Sequence, residues 1–333
     1  MRIGLEKSNM DSRVKLSRVV ERIGNYWTLG VFLLIVVVFT ILEPNFFTTE
    51  YWSSTFVYLS EMLLLAIGET FVIITGGIDL SVGAVEGFVG VASALIIRAL
   101  APSVGSSIAI IIGAVSGLLM GAAIGIINGL IITKMRITPF IVTLGTMGIL
   151  QGFGFILGKG TDVTGLPLEM GRIGNIMLFK MFGFSTLISW FVAAIALIMI
   201  SKTRFGIYTY SIGSNAEASR RAGINVDRHL IKVYMMTSLI AALAGLLMIL
   251  RFNTASPLTG ANVNLNAIAG VVIGGTSVMG GSGGVFGSII GAGIISILVT
   301  GLVMINVTPF WQMVSIGFII IIAVYIDQIR NKQ

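Results

Sequence analysis

The sequence predicts an all-α integral membrane protein with about ten transmembrane helices. Of its 333 residues, 56% are hydrophobic and only 11% are charged, whereas soluble domains carry about 25% charged residues. The mean hydropathy is +1.00. The 42 glycines fit the same class, because small residues let helices pack closely in lipid.

Ten apolar runs approach the length of about 20 residues that a helix needs to cross a bilayer. They cover residues 27–42, 55–75, 80–100, 105–132, 137–157, 176–200, 231–252, 264–279, 285–305 and 309–327. The fourth is long enough to tilt or break, and the eighth is short and bounded by glycines. We therefore expect a transmembrane domain over 27–328, between tails at 1–26 and 329–333.

The positive charges predict the orientation of these spans. With both termini in the cytoplasm, sixteen Lys and Arg residues fall on the cytoplasmic side and five fall outside, as the positive-inside rule requires. The net charge of +7 is then a topology signal, and we expect no nucleic-acid partner. No small-residue cleavage site follows the first apolar run, so we expect a retained tail rather than a cleaved signal peptide.

Glycine-rich segments interrupt the hydrophobic pattern at two places. One is GGIDLSVG at 76–83, and the other is GGTSVMGGSGG at 274–284. Glycine breaks at related places in two halves of a chain indicate an internal repeat and a central pathway in transporters. Tight turns between packed helices are the alternative interpretation.

Four carboxylates fall in or beside the early spans: Glu61, Glu69, Asp79 and Glu86. Ionisable groups are costly in a bilayer, so each is expected to be paired or functional. Asp79 follows a Gly-Gly turn and is expected to cap the third span by accepting backbone N–H bonds. If one helix carries both, Asp79 and Glu86 share a face. The alternative is a proton-coupled secondary transporter that uses Glu69, Asp79 and Glu86.

Uncharged polar residues also fall at membrane depth. Such groups can hydrogen-bond a hydroxylated solute without burying a charge, or they can tie helices together. As a set they favour a neutral polar cargo. The candidate translocation path comprises Asp79, Ser81, Glu86, Asn128, Gln151, Asn266 and Thr276.

Several other chemistries are not supported by the sequence. The chain has no cysteine and one histidine, His229, which we expect to be an ordinary surface residue. The phrase Gly158-Lys159-Gly160-Thr161 resembles half a phosphate loop, but Phe153 and Gly160 stand where a Walker A motif needs Gly and Ser or Thr. We expect no catalytic residues, no metal site and no nucleotide site in this chain.

A polar segment at 201–232 lies between the sixth and seventh spans, on the predicted cytoplasmic side. Ser214 and Glu217 fit a capping box with Ser214 as the N-cap. Ala216–Ala222 favours helix, and Gly223 is placed to end it. Two helical turns are marginal alone, so we expect this helix to dock on another protein or on anionic lipid.

Several motifs together resemble one known family. They are PNFFT at 44–48, GGIDLSVG at 76–83, TPFIVTLGTMGILQG at 138–152, IGSNAEASRRAGINVDRHLIKVY at 212–234 and LNAIAGVVIGGTSVMGGSGG at 265–284. In this order they resemble the ribose/xylose-type sugar permeases of bacterial ABC importers, over residues 27 to 328.

The resemblance implies a subunit of the bacterial inner membrane that works as a pair, as a homodimer. Its partners would be a cytoplasmic ABC ATPase, which binds the ATP, and an external or periplasmic sugar-binding protein. Gly213–Ile224 would be the coupling helix that sits in a groove of the ATPase. The implied coupling residues are Gly213, Ser214, Asn215, Glu217, Arg220, Arg221 and Gly223.

The chain departs from the family pattern at three places. Asn266 stands where members usually have an acidic residue, Gln151 stands where Arg is frequent, and Arg220 and Arg221 make the coupling helix unusually basic. The cargo therefore does not transfer from the family. Similar permeases carry ribose, xylose, galactose, inositol, autoinducer-2 and nucleosides.

Overall fold

A computed structural model describes residues 29–261 and 263–330. The predicted tail at 1–26 lies outside these residues, as do residues 331–333 of the predicted C-terminal tail. The helices are α1 Leu29–Leu42, α2 Thr49–Ile74, α3 Val82–Val104, α4 Ser106–Lys134, α5 Pro139–Leu157, α6 Leu168–Gly174, α7 Phe184–Lys202, α8 Arg204–Ser214, α9 Ala216–Arg221, α10 Val226–Phe252, α11 Val263–Ile273, α12 Val285–Met304 and α13 Pro309–Arg330.

Membrane-crossing length and apolar composition are found together in seven of the described helices: α2, α3, α4, α5, α7, α10 and α12. Three further stretches are apolar but shorter: helix α1, helix α11 and residues Pro309–Ile319 of α13. The all-α membrane class is confirmed. The count of ten spans and the cytoplasmic position of both termini stay predictions.

Two predicted span boundaries are wrong. The run at 176–200 begins as a hairpin in which β1 Met177–Leu178 pairs antiparallel with β2 Phe182–Gly183, and helix α7 starts only at Phe184. The run at 264–279 stops being helical at Ile273. In both cases the apolar run continues past the helix, and hydropathy alone does not register the turn. The long fourth run forms one unbroken helix.

Helix α2 is the centre of the protein. Every residue from Leu59 to Ile74 is buried, and helices α7, α10, α11 and α12 pack around it. A helix with apolar residues on all sides is stable when neighbours cover every face. Its position makes α2 the element through which movement of any surrounding helix must be accommodated.

Helix α4 packs against α3 and α10 along a stripe of glycines spaced four residues apart. Gly113, Gly117, Gly121, Gly125 and Gly129 are all buried in this contact. A methyl group on Gly129 would lie 2.7 Å from the Cα of Ile231 in α10. Small residues at every fourth position let helix backbones approach closely, as is typical of membrane helix pairs.

Two helices begin inside the protein, after irregular segments. Residues 75–81 precede α3 and residues 253–261 precede α11, and Gly83 in the first turn of α3 contacts Gly260 in the second segment. Asn264 Nδ2 donates to the Leu80 carbonyl oxygen at 2.7 Å. Irregular backbone at membrane depth is tolerated where its polar groups are satisfied by protein or face a cavity.

Candidate coupling segment and translocation path

The polar segment folds as two helices, α8 and α9, at an angle to each other. Ser214 is the last residue of α8, and the N-cap of α9 is Asn215, whose Oδ1 accepts the Ala218 N–H at 2.9 Å. The predicted capping box with Ser214 is therefore wrong by one residue. The sequence pattern allows either residue to cap, and the continuation of α8 through Ser214 decides it.

The end of α9 agrees with the prediction. Gly223 takes a positive φ of 85°, and its N–H bonds the Arg220 carbonyl at 3.0 Å. The Ile224 N–H returns to the Ser219 carbonyl at 3.0 Å. This arrangement satisfies carbonyls at the helix end and needs the conformational freedom of glycine.

Helix α9 presents its charges to the surface. Glu217 pairs with Arg221 at 3.4 Å and with Arg220 at 3.8 Å, and all three side chains are at least half exposed. Arg220 also reaches Asp227 in the first turn of α10, at 3.4 Å. Exposed ion pairs contribute little to stability, so these side chains remain available to a partner.

Three chain segments contact one another through their backbones next to the start of this helix. They are Ile74–Gly76 at the end of α2, Gly213–Ser214 at the end of α8, and Gly280–Gly281 in the second glycine-rich segment; we call them the glycine joint. The Gly281 N–H donates to the Ile74 carbonyl at 2.8 Å. A methyl group on Gly213 would lie 2.6 Å from the Gly281 nitrogen. The two glycine-rich motifs and the coupling segment thus form one backbone contact.

His229 is buried, contrary to the expectation of a surface residue. Its Nε2 lies 2.9 Å from Thr209 Oγ1 on α8, and its ring lies 4.5 Å from that of Phe205, centroid to centroid. The side chain ties the start of α10 to α8. The packing of α10 against α8 is what covers it.

The structure brings together three residues of the predicted path. Asp79 Oδ1 accepts the Ser81 backbone N–H at 2.8 Å and the Ser81 hydroxyl at 2.5 Å. Asn128 Nδ2 donates to Ser81 Oγ at 3.1 Å and its Oδ1 accepts the Thr146 hydroxyl at 2.6 Å. Asp79 thus accepts a backbone bond at the start of α3, although Ser81 occupies the N-cap position.

Glu86 lies apart from Asp79, because Asp79 precedes α3 and Glu86 is within it. The two do not share a helix face. Glu86 is fully buried and neighbours Glu61 on α2, while Glu69 neighbours Asp79 and the Tyr234 side chain. The four carboxylates therefore form two separate pairs rather than one relay.

The remaining path residues are scattered. Asn266 Nδ2 reaches Tyr58 OH at 3.4 Å, and Thr276 Oγ1 accepts the Gly284 N–H at 3.3 Å within the glycine-rich turn. Gln151 is half-buried and makes no hydrogen bond to the described residues. Thr143 and Thr146 on α5 were not on the predicted path, yet they bond Leu80 and Asn128. In the sequence, only their hydroxyl groups distinguish these two residues from the apolar residues around them.

The fold has a central helix, α2, and two helices, α3 and α11, that begin inside the protein. Together with the exposed polar segment between α7 and α10, these features define a membrane permease subunit. The chain belongs to the family described as the permease component of the branched-chain amino acid transport system, which matches residues 51–324. It is a transport subunit rather than an enzyme, and a multi-pass protein of the bacterial inner membrane. No solved structure matches it.

Curated relatives place it among the sugar permeases of that family. The chain is 38% identical to the ribose import permease RbsC of Bacillus subtilis (strain 168), covering 96% of each chain. It is 35% identical to the ribose import permease RbsC of Escherichia coli (strain K12), over 90% of this chain and 92% of the relative. With the D-allose transport permease AlsC of the same strain it shares 34% identity, over 92% of each.

Proposed function

We propose that this chain is the membrane subunit of an ABC importer that carries a neutral monosaccharide into the cell. The observation that carries the proposal is similarity, over 81% or more of this chain, to permeases named for ribose, allose, galactose and fructose. All four cargoes are uncharged sugars. The uncharged hydrogen-bonding chain from Ser81 through Asn128 to Thr146 suits a hydroxylated solute.

Two partners supply what this chain lacks. A cytoplasmic ATPase binds and hydrolyses ATP, and an external binding protein delivers the sugar to a pair of permease subunits. Helix α9 is the docking element for the ATPase, because it is short, exposed and charged at Glu217, Arg220 and Arg221. A surface helix of two turns is stabilised when a partner's groove covers it.

The glycine joint offers a route from the ATPase to the spans. When the ATPase closes on ATP and displaces α9, the displacement passes through Asn215 into α8. Gly213 contacts Ile74 and Gly281 backbone to backbone, so α8 cannot shift without moving α2 or the turn before α12. Packed backbone contacts transmit movement because no flexible side chain intervenes to absorb it. In this scheme, rocking of α2 and α12 alternates access to the path.

The proposal is tested by uptake into proteoliposomes that hold the whole complex: permease, its ATPase and its binding protein. Labelled D-ribose, D-allose, D-galactose and D-fructose are offered with ATP, with a non-hydrolysable analogue, or with ATP and a protonophore. We expect uptake of at least one sugar that needs hydrolysis and survives the protonophore. Uptake that needs no ATP hydrolysis and stops with the protonophore would instead support the proton-coupled alternative.

The orientation can be tested separately, because the chain has no native cysteine. Ser214→Cys places one exposed thiol at the end of α8, and Thr164→Cys places one in the loop before α6. A membrane-impermeant thiol reagent applied to intact cells should label Thr164→Cys and spare Ser214→Cys. The reverse pattern would overturn the predicted topology and the docking site with it.

A further inference from the structure

A polar cavity of about 340 Å³ lies at the end of α10 that is remote from α9. Helix α10 has 27 residues, so it separates the cavity from α9 by about 40 Å. The lining contains a carboxylate, three hydroxyl residues and an aromatic ring. It consists of Glu61, Met248, Phe252, Thr254, Ser256, Thr259 and Gly260.

The polar groups of this cavity have capacity for a ligand. Glu61 is only 8% exposed, yet it borders the cavity. Within the described residues, the Thr254 and Thr259 hydroxyls make no hydrogen bond, and Ser256 Oγ only accepts a long one from the Leu258 N–H at 3.4 Å. Buried or half-buried polar groups that lack protein partners favour a ligand that supplies them.

Phe252 lines one side of the cavity, and Arg251 lies next to it. The Arg251 guanidinium carbon lies 5.0 Å from the centroid of the Phe252 ring, and Arg251 also borders a small space beside Glu61. Its positive charge is close enough to interact with the Glu61 carboxyl. Phe252 itself is exposed and offers a flat apolar surface at the cavity entrance.

The walls are held in place without the ligand. Ala255 and Val163 exchange two backbone hydrogen bonds, of 2.8 and 3.0 Å, which fix the loop after α10. Pro257 packs where Gly154 and Gly158 leave room, and Gly260 packs on Gly83. A preformed cavity binds without the entropy cost of ordering a loop.

A second large cavity, of about 310 Å³, shows the contrast. Its lining is apolar apart from one threonine and includes Phe32, Trp52, Leu59 and Trp190. Thr55, the exception, is already bonded to the Tyr51 carbonyl at 2.9 Å. That cavity cannot satisfy the hydroxyl groups of a sugar, whereas the cavity at Glu61 can.

We propose that the cavity at Glu61 binds one monosaccharide as it enters the permease. Glu61 accepts hydrogen bonds from sugar hydroxyls, Thr254 and Thr259 donate and accept at the opposite wall, and Phe252 covers the apolar face of the ring. A volume of about 340 Å³ is at the small end of ligand sites, so the site fits one sugar ring more closely than two. This inference rests on the proposed function and adds the site at which the permease recognises the sugar.

The first test uses thiol protection in the full complex. Thr259→Cys places a single thiol in the cavity, and Thr164→Cys places one in the exposed loop before α6 as the control. A small methanethiosulfonate reagent is applied with and without whichever of D-ribose, D-allose, D-galactose and D-fructose the wild type imports. At about ten times its Kd, that sugar should slow labelling of Thr259→Cys about tenfold. Sucrose should give no protection, and Thr164→Cys should label equally in all cases.

The second test is Glu61→Gln, which keeps the side-chain size and replaces one carboxyl oxygen with an amide NH2 group. We expect sugar imported per ATP hydrolysed to fall about tenfold, because the amide nitrogen cannot accept a hydrogen bond from a sugar hydroxyl. Sugar import is expressed per ATP hydrolysed, so a change in the hydrolysis rate alone does not alter this readout. If this variant does not fold, the thiol protection decides.

The outcomes separate this inference from the proposed function. A wild-type complex that imports none of the four sugars with ATP overturns both. A wild type that imports sugar, with unprotected labelling at Thr259→Cys, overturns the cavity site alone. Protection by sucrose equal to that by the imported sugar also overturns it, since the site would then lack the stated size selection.

Discussion

Replacing Gly213 with alanine would insert a methyl group into the glycine joint, where three chain segments are in backbone contact. The added carbon would overlap the Ile74 carbonyl oxygen and would lie 2.6 Å from the Gly281 nitrogen and 2.9 Å from the Ile74 carbonyl carbon. Carbon atoms pack at about 3.5–4.0 Å, so one segment has to retreat by at least about 1 Å. All three neighbours are backbone, and none can move aside as a side chain would.

The cost follows from two contributions. Retreat breaks or stretches the bond from the Gly281 N–H to the Ile74 carbonyl, now 2.8 Å, which is worth about 1 kcal/mol. Forcing a methyl into a packed site adds about 1–3 kcal/mol. A penalty of about 2–4 kcal/mol lowers the equilibrium ratio of the joined to the separated arrangement by roughly 30-fold to 1,000-fold. The joint includes only Ile74, the last residue of the buried stretch of α2, so the subunit should still insert and fold.

The assay compares sugar imported with ATP hydrolysed by the purified complex. In Gly213→Ala, α9 should still engage the ATPase, and hydrolysis should continue while sugar per ATP falls about tenfold or more. Gly317→Ala in α13 is the matched control, because a methyl group there meets nothing within 4 Å. Normal sugar per ATP in Gly213→Ala, with the protein folded, would refute the role of the joint in coupling.

Three further predictions concern the helices that carry the site. Asn215→Ala should destabilise α9 by about 1 kcal/mol through loss of its N-cap bond and weaken co-purification of the ATPase, whereas Ser214→Ala should have little effect. Gly125→Val should separate α4 from α10 and lower the yield and melting temperature of the purified protein by far more than Ala123→Val on the exposed face. Asn128→Ala should lower the melting temperature through about 2 kcal/mol of lost hydrogen bonding, because it removes the bonds to the buried Ser81 hydroxyl and the half-buried Thr146 hydroxyl.

Each of these predictions has an outcome that contradicts it. If Ser214→Ala weakens ATPase binding and Asn215→Ala does not, the cap assignment is wrong. Equal stability of Gly125→Val and Ala123→Val would mean that α4 does not pack on its glycine stripe. An unchanged melting temperature for Asn128→Ala would show that its hydrogen bonds contribute nothing net.

The polar segment shows how far local pattern reaches. The sequence predicts a short helix with a Gly223 end, and the structure confirms both because helix ends depend on neighbouring residues only. The N-cap of α9 is Asn215 rather than the predicted Ser214, because α8 continues through Ser214. His229 was predicted to lie on the surface but is buried, because the packing of α10 on α8 covers it.

The predicted path shows the same limit. Asp79, Ser81 and Asn128 come together, although Asn128 lies on a different helix, α4. Asp79 and Glu86 separate, because α3 begins only after Asp79. Glu61 and Phe252 were not on the predicted path, yet they line one cavity. Spacing along the chain cannot show which helices become neighbours.

The sequence by itself determined the membrane class, the approximate helical runs and the family, because these depend on composition, hydropathy and local motifs in order. Only the tertiary structure decided that GGIDLSVG and GGTSVMGGSGG meet beside the coupling segment, and that a polar cavity lies at the far end of α10. Glycines permit close contact with any backbone, so their partners are set by how the helices pack. The same holds for buried polar groups, whose role depends on the neighbours that folding gives them.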